Sequence, residues 1–358
     1  MPGSLTFQTH MRERVEQLDG LRGIFSLLVV AHHHNAFKNS IFYNNFFVIN
    51  SNLFVDFFFV LSGFVIAMNY INRLNTKEDF LQFVKKRFIR LYPLLFYTEI
   101  VFLIASIAGE HSVLKNAPIL DSSFYFFTVL DTLTFMGSTP LLGGWVGLNY
   151  PGWSISSEMI SYVVFGLVLL LLPRKKNIAF FLIILLSAVF IINHGQYLLA
   201  NDYGFIRGLL CFCMGIFTFE LIKNRNLQLS FFELPYLIFL VAAMYLAHHL
   251  ELNVWKLIFP VIFSLGIFIF CNSTGFVTKL LKTPMFQYLG RISYSIYLNH
   301  AIVLILVNII LFRALKSPQT EWMFGFSLLL SITLTIVYSH FTYEWIEKRV
   351  GQFLRSKL

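Results

Sequence analysis

The chain has 358 residues, of which 57% are hydrophobic and only 13% are charged. A soluble domain carries about 25% charged residues, and a water-facing fold could not hide 42 phenylalanines, so an ordinary soluble enzyme is excluded. The formal net charge of +9 is typical of nucleic-acid-binding proteins, but the basic residues flank apolar segments, and we expect no nucleic-acid partner. The three cysteines, Cys211, Cys213 and Cys271, lie in apolar segments, which indicates buried packing and not a disulfide framework.

Apolar blocks of about twenty residues, the length needed to cross about 30 Å of hydrocarbon, recur along the whole chain. They predict an all-α polytopic membrane bundle of about ten transmembrane helices in a single domain over residues 1–358. The predicted spans are 21–37, 52–71, 88–109, 153–172, 178–193, 203–222, 231–250, 254–272, 292–312 and 322–341. Residues 1–20 are expected to be a cytoplasmic segment without a cleavable signal peptide, and 344–358 a basic cytoplasmic tail.

The placement of charge predicts the topology. With both termini in the cytoplasm, all but six of the 27 Lys and Arg residues fall on the cytoplasmic side, which is the positive-inside pattern. The exceptions are Lys38, Lys115, Arg207, Lys256, Arg313 and Lys316. The segment 123–136 is short and carries Asp131. If it crossed the bilayer, every later loop would change sides, so we interpret it as an interfacial or re-entrant helix.

The first predicted span contains Arg22 and the triplet His32, His33 and His34. Arg22 and His33 share one helical face about 16 Å apart. In a dry site, His33 would serve as a general base. The alternatives are a histidine that hydrogen-bonds between helices, or a metal ligand. Because HExxH and CxxC patterns are missing from this segment, we expect no metal.

The second span begins near Asp56 and contains Ser62 and Gly63, small residues that let helices approach closely. Next come Arg87 and Arg90, which lie on one face of a helix at the cytoplasmic boundary. Arginine binds phosphate through a fork of donors, so this face would suit the phosphates of coenzyme A. The alternative is an anchor for lipid headgroups.

Two later spans carry polar residues that also share a helical face. Trp153, Ser154 and Glu158 open the fourth span, where the carboxylate would need a partner such as a histidine, a sugar hydroxyl or Arg207. The ninth span contains Ser293, Tyr297 and His300. They would line the same cavity as His33 or form an interhelical polar network. The tail segment 343–349 reads as an interfacial cap without a catalytic role.

Taken in order, these motifs resemble the acyltransferase-3 family of integral membrane O-acyltransferases over nearly the whole chain, and we expect no fusion to the SGNH hydrolase-like domain that some members carry. The matching motifs are Leu18-Asp19-Gly20-Leu21-Arg22-Gly23 followed by His33, Phe58 to Phe64, Arg87-x-x-Arg90-x-Tyr92-Pro93, Trp153-Ser-x-x-x-Glu158, and Gly290-x-x-Ser293-Tyr294-x-x-Tyr297-Leu298-x-His300. Two departures stand out. Three histidines replace the usual one, so His33 is chosen by spacing, and the C-terminal Glu-x-Pro pattern appears as Glu347-Lys348-Arg349.

The resemblance implies transfer of an acyl group, usually acetyl, from cytoplasmic acyl-CoA to a saccharide or lipid-linked glycan, in a bacterial-type inner membrane. On this interpretation Arg22, Arg87 and Arg90 bind the CoA phosphates, and His33 and Glu158 are catalytic. His33 either activates the acceptor hydroxyl or carries the acyl group itself. The candidate substrate-binding residues are Asp56, Ser62, Trp153, Ser154, Tyr297 and His300, of which Ser154, with Glu158, is expected near the outer face. The rival hypotheses are a proton-coupled or small-molecule transporter and a membrane scaffold.

Overall fold

The computed structural model describes residues 16–34, 40–110, 122–142, 147–223, 225 and 227–357. Within these ranges all regular structure is helical. The α-helices are α1 (Glu16–His33), α2 (Phe46–Ile49), α3 (Phe54–Tyr70), α4 (Lys77–Glu110), α5 (Ser122–Leu133), α6 (Gly152–Leu171), α7 (Lys176–His194), α8 (Gly204–Ile222), α9 (Glu233–His249), α10 (Phe259–Cys271), α11 (Phe276–Leu281), α12 (Pro284–Asn308), α13 (Glu321–Thr342) and α14 (Gly351–Arg355). Two π-helical stretches, Ile309–Ala314 and Tyr343–Val350, continue α12 and α13.

Nine helical stretches in the described ranges are long and apolar enough to cross a membrane: Phe46–Tyr70, Lys77–Gly109, Gly152–Leu171, Lys176–His194, Gly204–Ile222, Ser230–His249, Val254–Cys271, Pro284–Ala314 and Glu321–Arg355. Large apolar side chains such as Leu186 and Ile238 are two-thirds exposed on the outside of the bundle, which suits lipid and not water. The predicted polytopic helical bundle is therefore confirmed.

Helix α1 corresponds to the first predicted span but is less apolar than the other nine, because its 18 residues include Asp19, Arg22 and two histidines. It begins before the predicted residue 21 and ends at His33, while 35–37 lie outside the described residues. Its polar groups are covered by α12, which runs parallel to it: Gly290 meets the backbone of Asp19 at one end, and His300 meets His33 at the other. The polar groups of α1 thus face another helix of the bundle.

Close helix crossings depend on small residues, as the second-span motif predicts. A Cβ atom placed on Gly63 would lie 1.9 Å from the carbonyl oxygen of Phe212, and one on Gly215 would lie 1.9 Å from that of Val60. Glycine at these two positions therefore lets α3 and α8 pack backbone to backbone. Such close packing fixes the positions of the side chains that α3 presents to the bundle interior.

The short helix α5 does not complete a crossing. Helices α3 and α6 run parallel, since Phe59 packs on Trp153 at one end and Ser62 bonds Glu158 further along both helices. The chain between them therefore traverses the bundle once, and α4 makes that traverse. Twelve residues also rise only about 18 Å, well short of the roughly 30 Å of hydrocarbon. These contacts support the interfacial or re-entrant interpretation of this segment.

Candidate active site

A cavity of about 220 Å³ opens between α1, α3, α4, α6 and α12. It is lined by Arg22, Val55, Phe58, Phe59, Leu61, Ser62, Val65, Ile66, Arg87, Arg90, Leu91, Ser154, Ile155, Glu158, Tyr162, Ser293, Tyr294 and Tyr297. Seven of the eleven predicted site residues are in this lining. They come from five helices, so their convergence is a property of the packed bundle and not of local spacing. We call this space the inner chamber.

A second cavity of about 420 Å³ shares Arg22 and Arg90 with the inner chamber. Its other lining residues are Asp19, Gln287, Gly290, Arg291, Tyr343, Glu347 and Arg355. We call it the vestibule. It lies at the ends of α1, α12 and the tail that the charge pattern places in the cytoplasm. Four of its residues are arginines, against two carboxylates, so the vestibule is suited to anions. Sequence reasoning counted Arg291 and Arg355 only as topological charges.

Arg22 is fixed between two helices at the junction of these spaces. Its Nη1 lies 3.0 Å from an oxygen of Asp19, and its Nη2 donates to the Ser293 hydroxyl at 3.0 Å. Ser293 in turn donates to the carbonyl oxygen of Gly290. This chain of hydrogen bonds gives the guanidinium a defined orientation before any ligand binds.

Arg87 and Arg90, the pair on α4, have different partners. Arg87 donates to the Tyr70 hydroxyl at 3.3 Å and stacks over Tyr70, with the guanidinium carbon 5.4 Å from the ring centre. Its Nε is buried without a partner, and no carboxylate in the described ranges pairs with it. Arg90 instead forms an ion pair with Glu347 of the C-terminal π-helix. Arg87 therefore keeps an unneutralised positive charge facing the inner chamber.

Glu347 also accepts a hydrogen bond from Ser295 at 3.0 Å and is buried. The tail that contains it was expected to be only an interfacial cap. It instead folds against α4 and α12 and forms one wall of the vestibule. In the sequence, this segment resembles the family's C-terminal pattern. That resemblance did not indicate that Glu347 pairs with Arg90.

Glu158 faces the inner chamber one turn below Ser154. Its Oε1 accepts hydrogen bonds from Ser62, at 2.7 Å, and from Tyr162. In the part of the chain that is described, no protein donor reaches Oε2, which leaves this atom for a ligand. Glu158 was expected near the outer face, but it shares its chamber with Arg87 and Arg90. It does not pair with Arg207, which was one of the suggested partners.

His33 lies beyond the inner chamber, next to His300. Nδ1 of His33 is 3.0 Å from Nε2 of His300 and 3.0 Å from the carbonyl oxygen of Val29. Nδ1 of His300 is 2.6 Å from the carbonyl oxygen of Tyr297. A carbonyl only accepts, so neutral His300 carries its proton on Nδ1 and presents a lone pair on Nε2. His33 must then carry its proton on Nδ1, which leaves its own Nε2 as a free base.

This assignment of tautomers is inferred from the hydrogen-bond network. It gives His33 what a general base needs, a lone pair held in one direction by a buried neighbour. The ring of Tyr150, two residues before α6, packs 4.9 Å from the His33 ring. His300 lies near the middle of the stretch Pro284–Ala314, so the histidine pair sits at mid-depth in the bundle.

The hydroxyls of Tyr297 and Ser154, 2.9 Å apart, close the inner chamber on the side of the histidine pair. The ring centre of Tyr297 lies 5.9 Å from that of His300 and 6.1 Å from that of Phe58. Tyr297 thus contacts the chamber with one side and His300 with the other. We call this hydrogen-bonded pair the partition.

The other two histidines of the triplet have structural contacts. Nδ1 of His32 lies 3.0 Å from the carbonyl oxygen of Val48, and Nε2 of His34 lies 2.9 Å from the Ser327 hydroxyl. Only His33 of the three hydrogen-bonds His300. This geometry favours the choice of His33 that helical spacing had suggested.

Asp56 and Trp153 lie outside the chamber lining, around Arg207. Asp56 is fully buried; its Oδ1 is 2.6 Å from Nε of Arg207, and its Oδ2 accepts from Tyr197 at 2.9 Å. Trp153 packs against the same guanidinium. Because both Asp56 oxygens are used by protein donors, the contacts favour a structural role. The substrate-binding role of the two residues stays a prediction.

The comparisons with known proteins identify the family of the chain. The family described as "Acyltransferase domain" matches residues 15–340. The chain is also similar to "Protein 2 in picA locus" of Rhizobium radiobacter, with 31% identity over 164 residues, which is 43% of this chain and 82% of that protein. No solved structure gives a significant match. No group of three or more His, Cys, Asp or Glu suited to a metal occurs in the described segments. The match over nearly the full length of the bundle shows that the chain belongs to the acyltransferase-3 family and is a multi-pass membrane acyltransferase.

Proposed function

We propose that this acyltransferase moves an acyl group, most simply acetyl, from cytoplasmic acyl-CoA to a hydroxyl of a cell-envelope or exported saccharide, in a bacterial-type inner membrane. The observation that carries this proposal is the adjacency of two cavities that share Arg22 and Arg90 in their walls. An arginine-rich vestibule on the expected cytoplasmic side borders an inner chamber, whose far side is formed by the partition next to the histidine pair. A phosphate-bearing, elongated donor that carries its reactive group at the far end fits this shape.

The phosphates of acyl-CoA bind at the vestibule. Arg22, Arg291 and Arg355 supply planar donor groups there, and guanidinium groups bind phosphate through paired hydrogen bonds. Glu347 neutralises Arg90 in the absence of the donor. A phosphate that approaches Arg90 would compete with this carboxylate for the same guanidinium.

The pantetheine arm extends into the inner chamber. The chamber wall is mostly apolar, with a few polar atoms that suit the amides of the arm. Oε2 of Glu158 is placed to accept from an amide N–H. Arg87, which has no carboxylate partner in the described chain, is placed to receive a carbonyl or phosphate oxygen of the donor. The thioester then lies at the partition formed by Ser154 and Tyr297.

The reaction follows from the free lone pair on Nε2 of His33. In direct transfer, this nitrogen takes the proton of the acceptor hydroxyl while the hydroxyl oxygen bonds to the acyl carbon. The carbon–sulfur bond breaks, and the CoA thiolate recovers a proton from the imidazolium. In a relay, Nε2 itself attacks the acyl carbon and releases CoA, and the acceptor hydroxyl then takes the acyl group from the imidazole. The ring of Tyr150 packs on His33 and His300, on the side from which we expect the acceptor to approach.

Membrane vesicles supplied with radiolabelled acetyl-CoA test this proposal. We expect label in the cell-envelope glycan fraction with the wild type and none with His33→Ala. The matched control is His32→Ala, a neighbouring histidine that does not touch His300. Stoichiometric release of CoA before any acceptor is added would select the relay. If the protein does not bind CoA and instead carries a solute across the vesicle membrane, the enzyme proposal is wrong and the transporter takes its place.

A further inference from the structure

A second group of buried polar side chains lies away from the active site, where α4, α5 and the segment 147–149 meet. Glu99 on α4 and Asp131 on α5 are 2% and 3% exposed, and Asn149 and Thr128 are buried at least as deeply. Thr128 lies one turn before Asp131 on the same face of α5, and the backbone of Asn149 lies next to the Glu99 carboxylate. None of the four lines the inner chamber or the vestibule.

Five oxygen atoms of this cluster have no hydrogen-bond partner among the described residues: Oε1 and Oε2 of Glu99, Oδ1 of Asp131, Oδ1 of Asn149 and Oγ1 of Thr128. The Thr132 hydroxyl and the backbone N–H groups of Leu148 and Asn149 lie near Glu99 but lack hydrogen-bond geometry. Within the described ranges, no lysine or arginine forms an ion pair with either acid. Buried carboxylates without partners are strongly unfavourable in their charged form, and a bound cation would compensate that charge.

The other buried carboxylates of the bundle show that such an arrangement is not general. Asp56 is paired with Arg207, and Glu347 with Arg90. Glu233 accepts from the Ser273 hydroxyl and from the backbone N–H groups of Gly275, at 3.0 Å, and Val277, at 2.8 Å. Each of these acids is satisfied by protein donors. Glu99 and Asp131 are the exception among the buried acids of the described residues.

We propose that Glu99, Asp131, Asn149 and Thr128 bind a hard divalent cation, best matched by Ca²⁺. All the available ligand atoms are oxygens, which hard cations prefer over the nitrogen and sulfur ligands of zinc. Two carboxylates balance the charge of a divalent ion. Ca²⁺ accepts irregular sets of carboxylate and amide oxygens, whereas Mg²⁺ requires a near-octahedral set and keeps several waters. Sequence patterns did not indicate this site, because Glu99 lies within an apolar span and its partners come from later segments.

The position of Asn149 indicates what the cation does. Its Nδ2 donates to the Thr98 hydroxyl at 3.1 Å and to the carbonyl oxygen of Leu298 at 3.0 Å, so its amide is already oriented. The next residue, Tyr150, packs on His33. A cation bound by Asn149, Glu99 and Asp131 therefore connects the segment 147–150 to α4 and α5. Through Tyr150 it also fixes one wall of the histidine pair.

The test uses the full chain, purified in nanodiscs and stripped of divalent ions with a chelator. Radioactive Ca²⁺ binding and the thermal unfolding midpoint, followed by tryptophan fluorescence, are measured as Ca²⁺ is added. We expect one Ca²⁺ per chain and a higher midpoint, because a ligand that binds only the folded state stabilises it. The variant Glu99→Gln/Asp131→Asn should lose both effects. Without Ca²⁺ it should unfold at or above the wild-type midpoint, because the repulsion between two buried charges is gone.

Glu78→Gln is the matched control, since it removes a carboxylate from the exposed first turn of the same helix. It should bind Ca²⁺ and gain stability as the wild type does. Absence of stoichiometric binding to the wild type, or equal binding to the double variant, would overturn the proposal. The measurement needs no donor or acceptor, so its outcome is independent of the acyl-transfer proposal.

Discussion

Arg207 and Arg87 are both largely enclosed in the bundle, yet their surroundings differ in one respect. Arg207 has a carboxylate partner, Asp56, and its remaining donors reach the backbone carbonyls of Leu199 and Asn52. Arg87 has only the neutral Tyr70 hydroxyl, stacks on Tyr70 and Tyr162, and faces a cavity. We infer that a buried charge paired with a carboxylate of the protein stabilises the fold, whereas a charge without such a partner beside a cavity is available to a ligand.

Removing the partner of the satisfied arginine should have the largest effect. Asp56→Asn leaves the Arg207 charge buried and unpaired, which typically costs about 3–5 kcal/mol. We expect a lower unfolding midpoint and a lower yield of folded protein, measured in detergent by fluorescence and size-exclusion chromatography. The double variant Asp56→Asn/Arg207→Gln should lose less stability than the two single variants together. Wild-type stability of Asp56→Asn would contradict the structural role.

The corresponding change at the open arginine should affect binding and leave stability unchanged. Arg87→Ala removes a charge-assisted contact worth about 1.5–3 kcal/mol to a bound ligand, so acyl-CoA affinity should fall roughly ten- to a hundredfold. Titration of acyl-CoA onto purified protein measures this. Lys85→Ala, an exposed change on the same helix, controls for the loss of one positive charge. A large loss of stability in Arg87→Ala would remove the distinction between the two arginines.

His300 is a buried side chain that acts on the reacting groups through another residue, His33. His300→Phe keeps a ring but cannot accept from Nδ1 of His33, and the lost hydrogen bond that orients His33 is worth about 1.4 kcal/mol. We expect kcat to fall roughly tenfold with KM for acyl-CoA unchanged. His300→Gln, whose amide oxygen accepts, should recover part of the rate. A change confined to KM would instead indicate that His300 contacts the donor.

The smallest effect is expected at the partition. Tyr297→Phe and Ser154→Ala each remove the same hydrogen bond, worth about 0.5–1.5 kcal/mol. Each should change the transfer rate by less than about tenfold, and the double variant should resemble either single variant. Initial rates at saturating acyl-CoA measure this. Additive losses would show that the two hydroxyls act separately.

The sequence predicted what local spacing and hydropathy determine. The helical period placed Arg22 and His33 on one face of α1, and the positive charges gave an orientation in which α1 and α12 run parallel. The short length and Asp131 marked α5 as a segment that does not cross. Each of these features depends on a few neighbouring residues, which is why a single sequence suffices for them.

Pairings between distant residues could not be predicted in this way. His33 and His300 are 267 positions apart, and Arg90 and Glu347 are 257 positions apart. The sequence suggested Arg207 as a partner for Glu158, whereas α3 and α8 approach so closely that Asp56 takes it. Asp56 and Glu158 are both acids that could pair with Arg207. Which of them does so depends on the depth and rotation of the packed helices. The role of the tail was missed for the same reason.

If the arginine-lined cavities hold the donor while His33 acts on it, donor binding and acyl transfer should be separable in two variants. Acyl-CoA binding and acyl transfer are measured on the same preparations of wild type, Arg87→Ala and His33→Ala. We expect Arg87→Ala to bind acyl-CoA weakly and to recover acyl transfer at high acyl-CoA. His33→Ala should bind acyl-CoA as the wild type does and transfer no acyl group. Transfer by His33→Ala at the wild-type rate, or a wild type that does not bind acyl-CoA, would contradict these expectations.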